Sequence, residues 1–183
     1  MKSFNEIELK SILTKEQYEK LFMELPKRMK LINEETLHTI RYRPGDVRLR
    51  YSDKTQEIVC KDGNPTDISR KEMIIPLASR KELDYFSQLF NLLNFKADPS
   101  WIKHKREFEY KLNGFTYIVC LQHIENFAYI LEVEHLSKTA YTRAHEHNIR
   151  TIFRKLNCEP IKPEEFTQRI KEYIKANSYK KLS

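Results

Sequence analysis

The chain has 183 residues, 40% of them hydrophobic and 11% aromatic, which is enough to bury a core and excludes wholesale disorder. Only three glycines occur, with neither G-x-G-x-x-G nor a Walker lysine motif, so a glycine-rich phosphate loop is excluded and any phosphate must be held by side chains. The formal charge of +7 favours polyanions such as nucleotides, polyphosphate or nucleic acid, with a lysine-rich solvated surface as the plain alternative.

The first predicted element is a strand, Phe4-Asn5-Glu6-Ile7-Glu8-Leu9-Lys10. It sets Glu6, Glu8 and Lys10 on one face and Ile7 and Leu9 on the other. Thr14-Lys15-Glu16-Gln17 is a capping-box pattern, and Tyr18, Leu21, Phe22 and Leu25 follow at helical spacing until Pro26 bends or ends the helix. From about 35 to 51 a hairpin is expected around Pro44-Gly45-Asp46, with Arg48 and Arg50 sharing a face on its return strand. Two further strands follow. Glu57 to Lys61 is one, and about 68 to 77 is the next, with Arg70, Glu72 and Ile74 on one face.

A second helix begins at Ser79, capping-box-like with Glu82, and its stripe is Leu83, Phe86, Leu89, Phe90 and Leu93. Strands around 101–112 and 115–121 are joined through Asn113-Gly114, a strong hairpin signal. The last strand puts Glu132 and Glu134 on one face. Beyond Ser137 the chain reads as helical, over about 137–176, in two segments broken near Glu159–Pro163. Ile149, Ile152, Phe153 and Leu156 stripe the first segment; Phe166, Ile170, Tyr173 and Ile174 stripe the second. Lys180-Lys181 reads as a solvated tail.

Eight strands with short connections favour antiparallel pairing. Each helix needs an apolar partner, which the aliphatic strand faces supply, so the charged faces must look elsewhere. If the sheet closes they look into a lumen, and charges of both signs can balance there. The expected architecture is α+β: one unit over 1–183, a closed eight-stranded antiparallel barrel forming a tunnel, with helices packed outside and a C-terminal helical segment over about 137–176. Clustered carboxylates suit Mg²⁺ or Mn²⁺, and arginine and lysine suit phosphate oxygens. Together they describe a site for a metal-chelated polyphosphate.

On these residues the sequence resembles the CYTH superfamily, the triphosphate tunnel metalloenzymes, over about 4–175. Its E-x-E-x-K strand looks like Glu6 to Lys10, its R-x-R strand like Arg48-Leu49-Arg50, its lone lysine like Lys61, and its late E-x-E strand like Glu132-Val133-Glu134. The resemblance implies metal ligation by Glu6, Glu8, Glu132 and Glu134, with Glu72 left from a family pair in which Ile74 takes the other place. It implies a triphosphate grip by Lys10, Arg48, Arg50 and Lys61. The family's basic strand usually carries K-x-R, and this chain departs from it with Lys103-His104-Lys105-Arg106; Lys103 and Lys105 share one face, His104 and Arg106 the other, with Lys103 and Lys105 favoured and Arg106 retained as a further ligand candidate. Glu8 or Glu134 would orient a water, and Lys10 would assist catalysis. The family often carries an Asp where this chain has Gln122, which removes one metal or water ligand; Ala128 stands where a glycine is common.

The implied activity is hydrolysis of a triphosphate (inorganic, nucleoside or thiamine). A class IV adenylate cyclase making cyclic AMP and pyrophosphate is the alternative, and a non-catalytic polyphosphate or nucleotide binder is a further one. The partner expected is a small triphosphate, with no membrane and no stable nucleic acid, and the chain acts as monomer or homodimer. Cys60, Cys120 and Cys158 lack C-x-x-C spacing, and no signal peptide or membrane-length apolar run is visible, so a reducing cytoplasm is expected. Cys60, Cys120 and Trp101 read as core residues. The histidines have no H-E-x-x-H spacing, and His123 and His135 read as surface residues near the ends of the late strands.

Overall fold

A computed structural model describes residues 1–138 and 141–178. Lys180-Lys181 and the part of the 137–176 segment at 139–140 lie outside the described residues. In chain order the elements are β1 (Lys2–Leu13), α1 (Lys15–Arg28), β2 (Lys30–Arg43), β3 (Val47–Tyr51), β4 (Gln56–Asp62), β5 (Ser69–Pro76) and α2 (Arg80–Leu92). They continue as β6 (Lys96–Ala97), β7 (Trp101–Leu112), β8 (Phe115–Ile124), β9 (Ala128–Ser137), α3 (Arg143–Lys155) and α4 (Pro163–Ser178). Eight strands close a ring in the order β1-β9-β8-β7-β2-β3-β4-β5, back to β1, and every pairing is antiparallel. The ninth, β6, is two residues paired on the edge of β2; so short a segment carries no alternation, and it was not expected.

Closure follows from sequence at the turns. Asn113 and Gly114 both take positive φ, 50° and 78°, as a two-residue hairpin between β7 and β8 requires. The core lies outside the ring. Ile7, Leu9, Val119, Leu121, Leu131 and Val133 point outward and are buried against Leu21 and Leu25 of α1 and Ile149, Ile152 and Phe153 of α3. α2 covers β3 and β4 through Leu83, Phe86 and Phe90 against Leu49 and Ile58, where Cys60 also packs. Each inward residue is therefore one step along its strand from a core residue, and a one-residue register slip would exchange the two sets.

α1 opens with the capping box. Thr14 Oγ1 accepts from Gln17 N at 3.2 Å, and Gln17 Oε1 accepts from Thr14 N at 2.9 Å. Thr14→Ala is expected to lower stability by about 1 kcal/mol, read as a shift of the urea midpoint at constant slope. An unchanged midpoint would mean that the cap contributes nothing. Pro26 does not end α1, which runs two residues further. At α2 the expected box is absent: Ser79 makes no side-chain cap, and Glu82 instead accepts from Ala78 N at 2.9 Å.

α4, in the expected C-terminal helical segment, packs differently from the outer helices. Its stripe of Phe166, Ile170, Tyr173 and Ile174 faces the barrel interior. Ile161 N donates to Lys10 O at 2.8 Å, Tyr173 Oη donates to Glu125 O at 3.3 Å, and Phe127 packs against Tyr173 at 5.1 Å between ring centroids. These contacts hold α4 across one end of the ring. No described helix is long and apolar enough to cross a membrane.

Candidate active site

The ring encloses a cavity of about 420 Å³. Alternation along the strands decides which side chains reach it. From β1 come Glu6, Glu8 and Lys10; from β3, Arg48 and Arg50; from β4, Lys61; from β5, Glu72; from β7, Lys103 and Lys105; and from β9, Glu132 and Glu134. Gln122 and Ile74 also face inward. Arg106 does not. It points out of β7, where its guanidinium lies 4.1 Å above the Phe22 ring of α1 and donates to Phe22 O at 3.2 Å. Lys103 and Lys105 take the inward face and Arg106 the outward one, because four consecutive basic residues must split between the two.

The centre is a cluster of carboxylates. Glu6, Glu8 and Glu134 each offer an oxygen within 4.8 Å of the others. Glu8 and Glu134 are direct cross-strand partners. Glu72 and Glu132 flank the cluster, each beside a lysine: Glu72 lies 3.0 Å from Lys61 Nζ and Glu132 lies 3.0 Å from Lys10 Nζ. Lys61 also pairs with Glu6, and Lys10 with Glu8. Burial works to raise the Glu8 carboxyl, but Lys10, Lys61 and Arg70 outweigh it and hold it well below the usual carboxylate range. Glu134 goes the other way. Burial and the nearby Glu6, Glu132 and Glu8 push it well above that range, and no cation lies within ion-pair distance of it among the described residues. Three hard oxygen donors, one of them crowded by like charge, form a donor set that fits a divalent cation such as Mg²⁺ or Mn²⁺.

Around the carboxylates stands a basic wall, held by acids that sequence reasoning did not single out. Asp46, in the β2–β3 turn, accepts from Arg48 Nε and Nη2 at 2.7 Å each and from Arg70 Nη1 at 3.3 Å. Burial opposes ionisation of Asp46, but Arg48 outweighs it and keeps the carboxyl well below its ordinary value. Glu35 accepts from Ser52 Oγ at 2.6 Å and lies 3.1 Å from Lys105 Nζ. Despite burial these partners bring its pKa down to about 2. Glu57 lies 3.5 Å from Arg50, and Glu107 lies 3.1 Å from Lys105. Arg70 is itself a lumen residue, 3.3 Å from Glu8. Alternation carried the signal for Arg70, two residues from Glu72, for Glu107, two from Lys105, and for Glu57, four from Lys61; Asp46 sits in a turn, where alternation says nothing.

Lys103 is the exception in this wall. No carboxylate lies within ion-pair distance of it among the described residues. Burial, with Arg50 and Lys105 adding to it, pulls its pKa down to about 8 against the opposing pull of Glu132. An unpaired, half-desolvated ammonium has free capacity for an incoming anion.

Cys120 is buried as expected, at 2% exposure, but on the lumen side of β8, and Trp101, expected in the core, lines the lumen. Their strands put them on the same face as Lys103 and Gln122. His123 stacks on Tyr129 at 4.6 Å on the outer surface, and His135 lies 4.6 Å from the buried ring of His145, which was not anticipated.

No protein-family model matches the chain, and no curated protein sequence is similar enough to match it. Solved structures do match. A Pyrococcus horikoshii OT3 protein superposes with a TM-score of 0.63 at 21% identity, covering 87% of this chain and 98% of its own. A Vibrio parahaemolyticus protein, provisionally assigned as an adenylate cyclase, gives 0.64 at 11% identity, covering 85% of this chain and 90% of its own. A candidate adenylyl cyclase from Hippeastrum, whose dominant activity is as a triphosphatase, gives 0.60 at 11% identity, covering 87% and 90%. At these identities the likeness is one of fold.

Proposed function

We propose that the chain is a divalent-metal-dependent enzyme that hydrolyses a triphosphate held inside the barrel, as a member of the CYTH kind. The observation that carries this reading is the lumen itself. Three carboxylates within 4.8 Å face a wall of arginine and lysine inside a closed ring. The descriptions of the Vibrio and Hippeastrum fold neighbours agree with it.

Glu6, Glu8 and Glu134 would hold the cation, with Glu72 and Glu132 beside them. Bound there, the metal would neutralise phosphate oxygens and stabilise charge developing on the transferred group. Arg48, Arg50, Lys61, Lys103 and Lys105 bind and orient the phosphate chain, and Asp46 and Glu35 keep two of these cations aimed before substrate arrives. Glu8 or Glu134 orients the water and accepts its proton. The water oxygen forms a bond to the terminal phosphorus, the bridging P–O bond breaks, and the diphosphate leaves with the electron pair. Lys10, between Glu8 and Glu132, fixes both carboxylates.

Product analysis tests the reading. With ATP and Mg²⁺ or Mn²⁺, hydrolysis yields orthophosphate and ADP. Pyrophosphate with a cyclic nucleotide would replace hydrolase by cyclase. Saturable triphosphate binding without any product would make the protein a binder.

Lys103 supplies a pH prediction. Its ammonium is lost near pH 8 in the free protein, and a bound triphosphate must recover that proton. Above about pH 8 the affinity is expected to fall, by up to about tenfold per pH unit. Lys103→Arg keeps the charge and flattens this alkaline limb. A limb unchanged in Lys103→Arg would remove Lys103 from the phosphate grip.

A further inference from the structure

We infer that the solvent face of α3 is a docking surface for single-stranded nucleic acid, held by its phosphate backbone on the outside of the barrel and independent of the triphosphate site.

The positive charge of the chain does not reside in the lumen. Eight basic side chains line the cavity against ten carboxylates, so the lining is on balance acidic. The excess behind the formal charge of +7 therefore belongs to other surfaces. Among the helices it is concentrated on one. α1 carries four basic residues against three acids, α2 two against two and α4 three against three, whereas α3 carries four against one.

Arg143, His147, Arg150 and Arg154 are spaced four, three and four residues apart, which sets them in one row along α3. All four are exposed, and the opposite side of the helix is buried through His145, Ile149, Ile152 and Phe153. At 1.5 Å per residue the row is about 16 Å long, a reach of several successive phosphates. Lys155 extends it. Its carbonyl accepts from Arg28 Nη2 at 3.3 Å, which brings the exposed Lys27 and Arg28 of α1 alongside.

Cations in the last turns of α1 and α3 offset the helix dipoles, and this accounts for Lys27, Arg28, Arg154 and Lys155 in local terms. It does not account for Arg143, the first residue of α3, where the dipole disfavours a cation, nor for Arg150 in mid-helix. Glu146, the one acid of the helix, lies 2.7 Å from Arg150 and leaves the row positive.

A membrane surface or an acidic protein would need apolar contact as well. Among the described residues, none of the large exposed apolar side chains belongs to α3. Two aromatic rings do flank its first turn. Phe115, 38% exposed, lies edge-on to His145 at 5.0 Å between centroids, and Tyr141, 37% exposed, donates to Glu146. A basic track with exposed rings beside it is how single strands are held without sequence preference: phosphates lie on the cations and bases stack on the rings. Such a contact is weak and salt-sensitive, which is compatible with the expectation of no stable nucleic-acid partner.

The experiment follows the fluorescence anisotropy of a labelled oligouridylate of about 20 nucleotides across a KCl series; its 5′-hydroxyl end offers the lumen no triphosphate. Binding is expected with Kd of about 10⁻⁴ to 10⁻⁶ M, and log K should fall against log [KCl] with a slope of about −2 to −3, as three or four phosphate contacts require. Arg143→Glu/Arg154→Glu is expected to lower the affinity at least about tenfold and to flatten that slope. Tyr141→Ala is expected to lower it about fivefold. An Arg48→Ala/Arg50→Ala variant should bind the strand as wild type does, and both α3-face variants should keep the wild-type melting midpoint and tripolyphosphate turnover. No binding at low salt, salt-independent binding, wild-type affinity in Arg143→Glu/Arg154→Glu, or loss of binding in the lumen variant would overturn the docking surface and leave the triphosphate reading standing. Tighter binding of a duplex of equal length, or binding of phosphatidylserine vesicles in place of the strand, would overturn single-stranded nucleic acid as the occupant. Loss of tripolyphosphate turnover in a folded Arg143→Glu/Arg154→Glu protein would overturn the independence of the two sites.

Discussion

Glu8→Gln is expected to lower metal-dependent triphosphate turnover by about 10²- to 10³-fold while the protein stays folded. Glu8 is the hub of the lumen. It contacts Lys10, lies 3.8 Å from Lys61 and 3.3 Å from Arg70, and shares the carboxylate cluster with Glu6 and Glu134. The amide keeps the shape but withdraws one of three charges from the cation and releases three basic groups from their common partner. The cost to folding is partly offset. Glu8 is held ionised by its cations, so its own stabilising share is present above the ordinary glutamate pKa of about 4.3 and is lost as pH falls toward its lowered value. Removing its charge, however, relieves the crowding that raises Glu6 and Glu134. The measurement is kcat/KM with Mg²⁺, alongside thermal unfolding. Activity within a fewfold of wild type in a folded Glu8→Gln protein would take Glu8 out of the chemistry.

Lys61→Met is expected to destabilise the metal-free protein by about 3–5 kcal/mol, and millimolar Mg²⁺ is expected to restore part of that loss. The Lys61 side chain is 5% exposed, pairs with Glu6, and lies 3.0 Å from Glu72 and 3.8 Å from Glu8. It is the internal cation that lets these carboxylates share one interior. Methionine fills much the same volume but leaves their charges to repel one another in a poorly solvated space. A divalent cation at Glu6, Glu8 and Glu134 would supply the missing charge, so the midpoint of thermal unfolding should become metal-dependent in Lys61→Met more than in wild type. A midpoint equal to wild type, or one indifferent to Mg²⁺, would contradict this electrostatic account of the lumen.

What could be read in the sequence was whatever a period of two encodes. Glu6, Glu8 and Lys10 alternate with Ile7 and Leu9, and the outer helices have the stripes to cover the second set, so the barrel and its polar inside follow from patterning. The misses have physical reasons. The Lys103–Arg106 run offers cations to both faces, and only packing against Phe22 settles Arg106 outside. The α4 stripe suits either the back of a strand or an apolar lumen end, and periodicity does not choose between them. Cys120 sits among aliphatics and is buried, and only strand alternation, not hydrophobicity, puts it and Trp101 on the lumen side. Asp46 aims Arg48 from a turn, where no repeat marks it.

The most direct test of the central claim is a calorimetric titration with tripolyphosphate in the presence and absence of Mg²⁺. Binding of a triphosphate inside the ring predicts one saturable site that weakens when Mg²⁺ is withdrawn. It also predicts loss of that site in an Arg48→Ala/Arg50→Ala double variant and its survival in Arg106→Gln, whose side chain lies outside the lumen. No saturable binding with Mg²⁺ present, or equal loss in Arg106→Gln, would contradict it.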